Sequence, residues 1–287
     1  MSNMHEDVIY TPLRSYGDFI STAFIIKSYA SQKIPILLPE YFIDLYNAIE
    51  GDNYFEIKGI MPLKNQPAIF ELYKVRDSEN LKRLCNDISV INKYLPKRST
   101  YLLDYRSKRL LFLNKRFRWP DRKKNIYQAK YELYAKFFNL KHFVGDSISL
   151  VQKPNFKSIV ILGESRVKQK EINSLLISNI INRYPLLNIK KALFGKEKLF
   201  AKENTTYYIN FKELINLLVS EDLIISAESL PYHLANFYEK PHFVIYTKSR
   251  HFKETFMTPF MIKNYFFVID NQISNVNVVE RLDEILL

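Results

Sequence analysis

Three groups of residues in this 287-residue chain have the types and spacing to act on an anion. The first is Glu228-Ser229-Leu230-Pro231, with His233 four residues after Ser229. It follows a short buried strand, Leu223 to Ile225, and precedes a helix opened by Pro231. Proline suits a first helical turn because the amide it lacks would have no partner there, and Ser229 can cap the free N–H groups. A turn at the carboxyl end of a strand is where open α/β sheets hold ligands, and a helix start favours negative charge. The second group is Gly17-Asp18, after the strand Val8-Ile9-Tyr10. A carboxylate there can take a proton from an attacking group, or it can cap a helix that starts near Phe19. The third is Arg166, Lys168 and Lys170 with Ser165, after the Gly163 turn. Cations at a helix start are disfavoured unless an anion joins them, so these point to a ligand.

The elements that must position these groups alternate. Strand-like runs recur at Val8 to Tyr10, Ile34 to Leu38, Tyr101 to Leu103, Ser158 to Leu162, Tyr207 to Ile209, Leu223 to Ile225, His242 to Tyr246 and Phe266 to Ile269. Segments with helical spacing lie between them, such as Phe19, Ala23, Ile26 and Ala30, or Ile172, Leu175, Leu176 and Ile180. This alternation predicts parallel α/β sheets. The polar link Gln152-Lys153-Pro154-Asn155, just before a new strand, predicts domains at 1–152 and 153–287. Val278 to Leu286 reads as a closing amphipathic helix, and the series Tyr127, Tyr131, Tyr134 and Phe138 as core packing.

Composition narrows the function classes. Nearly half the residues are hydrophobic, which describes a globular chain, and 42 Lys and Arg against 30 Asp and Glu give a formal charge of +12. That surplus favours anionic partners: nucleotide phosphates, acidic lipid or nucleic acid. The single cysteine, Cys85, excludes an internal disulfide and a thiolate-rich zinc site, and its helical setting predicts an inert buried thiol in a reducing compartment. The first residues show no signal peptide, no apolar run is long enough to cross a bilayer, and the five histidines lack ligand spacing, so no metal is expected. Six dispersed glycines exclude the closely spaced glycines of a nicotinamide-type fold and of a Walker-type phosphate loop.

Taken together, these segments resemble glycosyltransferase family 9, the heptosyltransferase-like enzymes. Their donor-site signature is a hydrophobic strand, Asp-Thr/Ser-Gly, two residues, and His-Leu-Ala. Here Glu228 stands at the Asp, Ser229 at the Thr/Ser and Leu230 at the Gly, while His233-Leu234-Ala235 match outright. Lys240-Pro241 leading into His242 to Tyr246 also follows the pattern. Tyr16-Gly17-Asp18-Phe19 resembles the Gly-Asp turn after the first strand, and Ser158 to Lys168 the opening of the second domain. Phe194-Gly195-Lys196-Glu197 sits where the family often has a Gly and a ribose-contacting Glu.

The resemblance implies an α/β protein of two Rossmann-like domains facing across a cleft, the GT-B arrangement. It implies inverting, metal-independent transfer of a sugar from a nucleotide diphosphate sugar, ADP-heptose in the family, to a lipopolysaccharide or other surface glycan. Asp18 would be the catalytic base. Gly163, Ser165, Arg166, Lys168, Glu197, Glu228, Ser229, Leu230 and His233 would bind the donor. Gly17 and Ser21, with Arg106 and Arg109 of the basic run between Arg106 and Lys124, would meet an anionic acceptor. The nucleotide sugar is a co-substrate and no other cofactor is implied. A cytoplasmic protein in peripheral contact with the inner face of the membrane would follow, with no nucleic acid expected, and with the last helix packed back on the first domain. Two other classes stay open. The substitutions at Glu228, Leu230 and Pro231 suit a transferase-like binding protein without catalysis, and the basic, aromatic run suits a nucleic-acid binder.

Overall fold

The computed structural model describes residues 7–67, 78–95, 97–104, 116–121, 124–142, 155–165, 168–195, 204–245 and 275–287. The chain forms two compact units, Met1–Phe143 and Val144–Leu287. The boundary expected at 152/153 lies outside the described residues.

In the first unit, β1 (Val8–Tyr10), β2 (Ile34–Pro39), β3 (Phe55–Met61), β4 (Thr100–Leu102) and β5 (Phe117–Arg118) form one sheet in the order β3-β2-β1-β4-β5. Every pairing is parallel. The helices are α1 (Tyr16–Tyr29), α2 (Ile43–Ala48), α3 (Ser78–Tyr94) and α4 (Ile126–Ala135). Successive side chains of a strand point to opposite faces, so β1 sends Ile9 into one core and Tyr10 into the other. Ile9 joins Leu37, Met61, Leu84, Ile91 and Phe117. Tyr10 joins Phe19 and Phe55, with Phe42 beyond them.

The second unit repeats the plan. Its strands are β6 (Ser158–Leu162), β7 (Asn188–Phe194), β8 (Thr205–Tyr208), β9 (Leu223–Ala227) and β10 (His242–Ile245). They run in the order β10-β9-β6-β7-β8, again all parallel. Its helices are α5 (Ser174–Arg183), α6 (Phe211–Ser220), α7 (Leu230–Phe237) and α8 (Asn275–Leu286). In each unit the first strand has the second on one side and the fourth on the other, so the strand order reverses at that strand. The carboxyl ends of β1 and β4, and of β6 and β9, are therefore the places where such sheets hold ligands.

One expectation changes here, the burial of Cys85. The closing helix α8 buries Val278, Leu282 and Ile285 among Leu176, Ile177 and Ile180 of α5, so this apolar stripe belongs to the core of the second unit. Asp283 fixes it by accepting from Arg183 Nε and Nη2 at 3.2 and 3.0 Å and from the Tyr184 hydroxyl at 2.8 Å. Cys85 is exposed, because the buried stripe of α3 runs through Leu84, Asp87 and Ile91 and leaves position 85 beside it. The expected strand Phe266 to Ile269 lies outside the described residues.

Candidate active site

In the first unit the helix α1 starts three residues earlier than expected. Ser15 is its N-cap, and Asp18 is the third helical residue. The two form a reciprocal pair: Ser15 Oγ accepts from the Asp18 N–H at 3.3 Å and donates to Asp18 Oδ2 at 2.6 Å. A negative side chain in the first helical turn is stabilising, and the Arg14 guanidinium adds to it at 3.6 Å. The Asp18 side chain stays 14% exposed. Gly17 is half-buried one residue before it.

Ser21, expected at the acceptor, is fully buried. Its hydroxyl donates to the Asp18 carbonyl at 2.8 Å and accepts from Lys130 Nζ at 2.7 Å, so it is engaged inside the fold. Lys130 of α4 is itself 0% exposed and donates also to the Asp18 carbonyl and to Asp104 Oδ1 at 2.8 Å. Asp104, just past β4, accepts further from Thr22 Oγ1 and from the Tyr10 hydroxyl, each at 2.8 Å. Burial, then the Asp104 charge, pushes the Tyr10 phenol far up, so it remains a neutral donor. These groups fill the carboxyl ends of β1 and β4. Sequence reading missed Lys130 and Asp104, although a signal existed: Tyr127, Lys130 and Tyr134 share one helical face, and a lysine between two buried tyrosines needs a buried partner.

In the second unit the two predicted turns meet. Gly163 follows β6 and Glu228 follows β9, and these strands are paired neighbours. Ser229 Oγ donates to the Glu164 carbonyl at 3.4 Å. It does not cap α7 with its side chain, contrary to the expectation, and α7 begins at Leu230 with Pro231 in its first turn. Glu228 is buried and forms an ion pair with Lys170. Lys168, the expected anion ligand, is exposed, while Lys170, two residues on, is the cation that reaches Glu228. The Glu164 carboxylate accepts the Phe194 N–H at 2.9 Å. Ser165 and Leu230 are half-buried beside the turns, and His233 is buried against the Tyr232 ring at 4.8 Å. Gly163 has a packing reason: a Cβ there would lie 3.0 Å from Ile177 Cδ1 and 3.2 Å from Ile172 Cβ. Gly195 ends β7 at φ +130°, a backbone that glycine alone adopts readily.

Arg166, Glu197, Arg106 and Arg109 lie outside the described residues. Among the described residues no group of three His, Cys, Asp or Glu could hold a metal ion, and no helix is long and apolar enough to cross a membrane.

Solved structures of other proteins resemble the chain over almost its whole length. A glycosyl transferase family 9 protein from Veillonella parvula DSM 2008 superposes with a TM-score of 0.61 at 13% identity, covering 100% of this chain and 98% of that one. The chain has the fold of the family 9 glycosyltransferases. E. coli heptosyltransferase WaaC, solved with ADP, gives a TM-score of 0.60 at 11% identity over 96% of this chain and 99% of that one. E. coli ADP-heptose lps heptosyltransferase II gives 0.59 at 13% over 98% of each. No protein-family model and no curated protein matches the chain. The family 9 fold is thus shared through the backbone, with little sequence in common. Its two Rossmann-like units place Asp18 at the mouth of one sheet and the Glu228 turn at the mouth of the other.

Proposed function

We propose that the protein is an inverting, metal-independent glycosyltransferase. It moves heptose or a related sugar from a nucleotide diphosphate sugar to a lipopolysaccharide or other surface glycan. One observation carries the reading. In a chain with the family 9 fold, the switch point of the second sheet gathers Lys170, Glu228 and Ser229 from two turns far apart in sequence. That is a cation, a carboxylate and a hydroxyl where an open α/β sheet binds its ligand.

In this mechanism the Asp18 carboxylate accepts the proton of the acceptor hydroxyl as its oxygen attacks the anomeric carbon. The bond from that carbon to the diphosphate breaks with inversion, and the proton ends on Asp18. Negative charge grows on the leaving diphosphate, where Lys170 and the Ser229 hydroxyl stabilise it. Glu228 holds the Lys170 ammonium in place and accepts hydrogen bonds from donor-sugar hydroxyls. Leu230 and Pro231 take space and an N–H from the start of α7, so the diphosphate depends more on Lys170 than on helix amides. Arg166, Lys168 and Glu197 are further donor-side residues of this proposal.

WaaC is described with ADP and with ADP-2-deoxy-2-fluoro heptose, which supports an adenine nucleotide sugar as the first donor to try. The +12 charge supports an anionic glycolipid acceptor and peripheral contact with the inner face of the cytoplasmic membrane. Arg106 and Arg109 are the acceptor-side residues of this proposal, and the protein is cytoplasmic. A thermal-shift series with ADP-, GDP-, UDP- and CMP-linked sugars tests it, since a bound donor raises the melting temperature. One nucleotide class should stabilise the wild type and lose its effect in Lys170→Met. Silence with every donor would overturn the reading. Binding without transfer to any glycolipid would mark a transferase-like binding protein instead.

A further inference from the structure

The carboxyl ends of β1 and β4 carry a polar cluster that the proposed chemistry does not use. The Lys130 ammonium is completely buried, and each of its three N–H groups has its own acceptor: the Asp18 carbonyl, Ser21 Oγ and Asp104 Oδ1. The Asp18 carbonyl receives a second bond from the Ser21 hydroxyl at 2.8 Å. Asp104 is held in turn by Thr22 of α1 and Tyr10 of β1. One ammonium therefore ties α4, the end of β4 and the first turn of α1.

Stability is a poor reason for this arrangement. Replacing a buried ion pair by apolar residues of similar size is often neutral or favourable, because removing two charges from water costs about as much as their attraction returns. A helix start also does not need an ammonium on the carbonyl of its third residue. What the cluster does achieve is local: the main chain of Asp18 is fixed from below by Lys130 and Ser21, while its side chain is fixed from above by Ser15 and Arg14.

We infer that Lys130 is a positioning residue. It clamps the main chain of Asp18 through its carbonyl and so sets the direction of the carboxylate that takes the acceptor proton. The inference rests on Asp18 being the base of the proposed transferase, and its test separates the two claims.

Two variants are compared with wild type: Ser21→Ala, and the neutral pair Lys130→Met with Asp104→Asn, which leaves no lone buried charge. The control is Ile91→Val, in the other core of the first unit. Amide hydrogen exchange is read over α1 and, as an internal reference, over β6 and β9. The double variant should speed exchange in the first turn of α1 about tenfold and leave β6 and β9 alone. A base displaced by about an ångström can cost 10²-fold in rate, so kcat should fall by about that factor while KM for the donor stays within about twofold. Ser21→Ala, which keeps the ion pair, should lose about tenfold in kcat and serves if the double variant does not fold. Ile91→Val should lower stability with kcat kept. Unaltered exchange in α1 would overturn the inference, and so would faster exchange with full kcat. A wild type that transfers no sugar would end the transferase reading, and the exchange measurement alone would then decide whether Lys130 clamps this turn.

Discussion

The sequence presents helix cap and base as alternatives for Asp18; the structure shows the cap, and the proposed mechanism adds the base. Asp18 belongs to the cap of α1 through Ser15, and it keeps part of its side chain at the surface. Asp18→Asn preserves the shape and an acceptor for the Ser15 hydroxyl but removes the basic oxygen. Transfer should fall by about 10²–10⁴-fold, the usual contribution of a general base, with donor affinity unchanged in calorimetry. The Lys170 and Glu228 pair depends on the path of the chain as well as on spacing. Spacing after Gly163 offers three cations, Arg166, Lys168 and Lys170. The Lys168–Lys170 segment is a short 3-10 turn, and only its path decides which ammonium faces β9.

Each element has its own reason for the residues it carries. Gly163 after β6, expected to bind the donor, also has a packing reason: its missing Cβ makes room for Ile172 and Ile177. Gly163→Ala should therefore cost about 1–3 kcal/mol by overpacking, measured by urea denaturation, with or without a nucleotide present. Strand β10 carries a different liability in His242. Burial pushes its imidazole down to about 4 from an ordinary 6.5, and a hydrogen bond from Nδ1–H to the Lys240 carbonyl offsets this only in part. The folded chain keeps His242 neutral while the unfolded chain takes up a proton below pH 6.5. Stability is therefore complete above pH 6.5 and falls as pH descends towards 4, by about 3 kcal/mol in all. Urea midpoints at pH 7 and pH 4.5 should show this loss, and His242→Gln should flatten it.

At the scale of the whole molecule, each unit buries its own core around its own parallel sheet. Leu282 of α8 is fully buried in the second. Leu282→Ala should cost about 2–5 kcal/mol and should raise hydrogen exchange in β6 and β9 while β1 and β4 keep their protection. The sequence alone determined the parts whose information is local. Val8 to Tyr10 and Ile159 to Leu162 are continuous hydrophobic runs, and they form the central strands of the two sheets. The edge strand β3, Phe-Glu-Ile-Lys-Gly-Ile-Met, and β7, which carries Lys190 and Lys191, escaped notice because exposed strands can hold charge and glycine. Strand order, the side of the second unit that α8 covers, and the partners of Lys130 and Lys170 were decided by tertiary structure. A hydrogen bond between Lys130 and the Asp18 carbonyl joins residues over a hundred positions apart. Periodicity reports only which face of an element is buried, and packing alone chooses what that face meets.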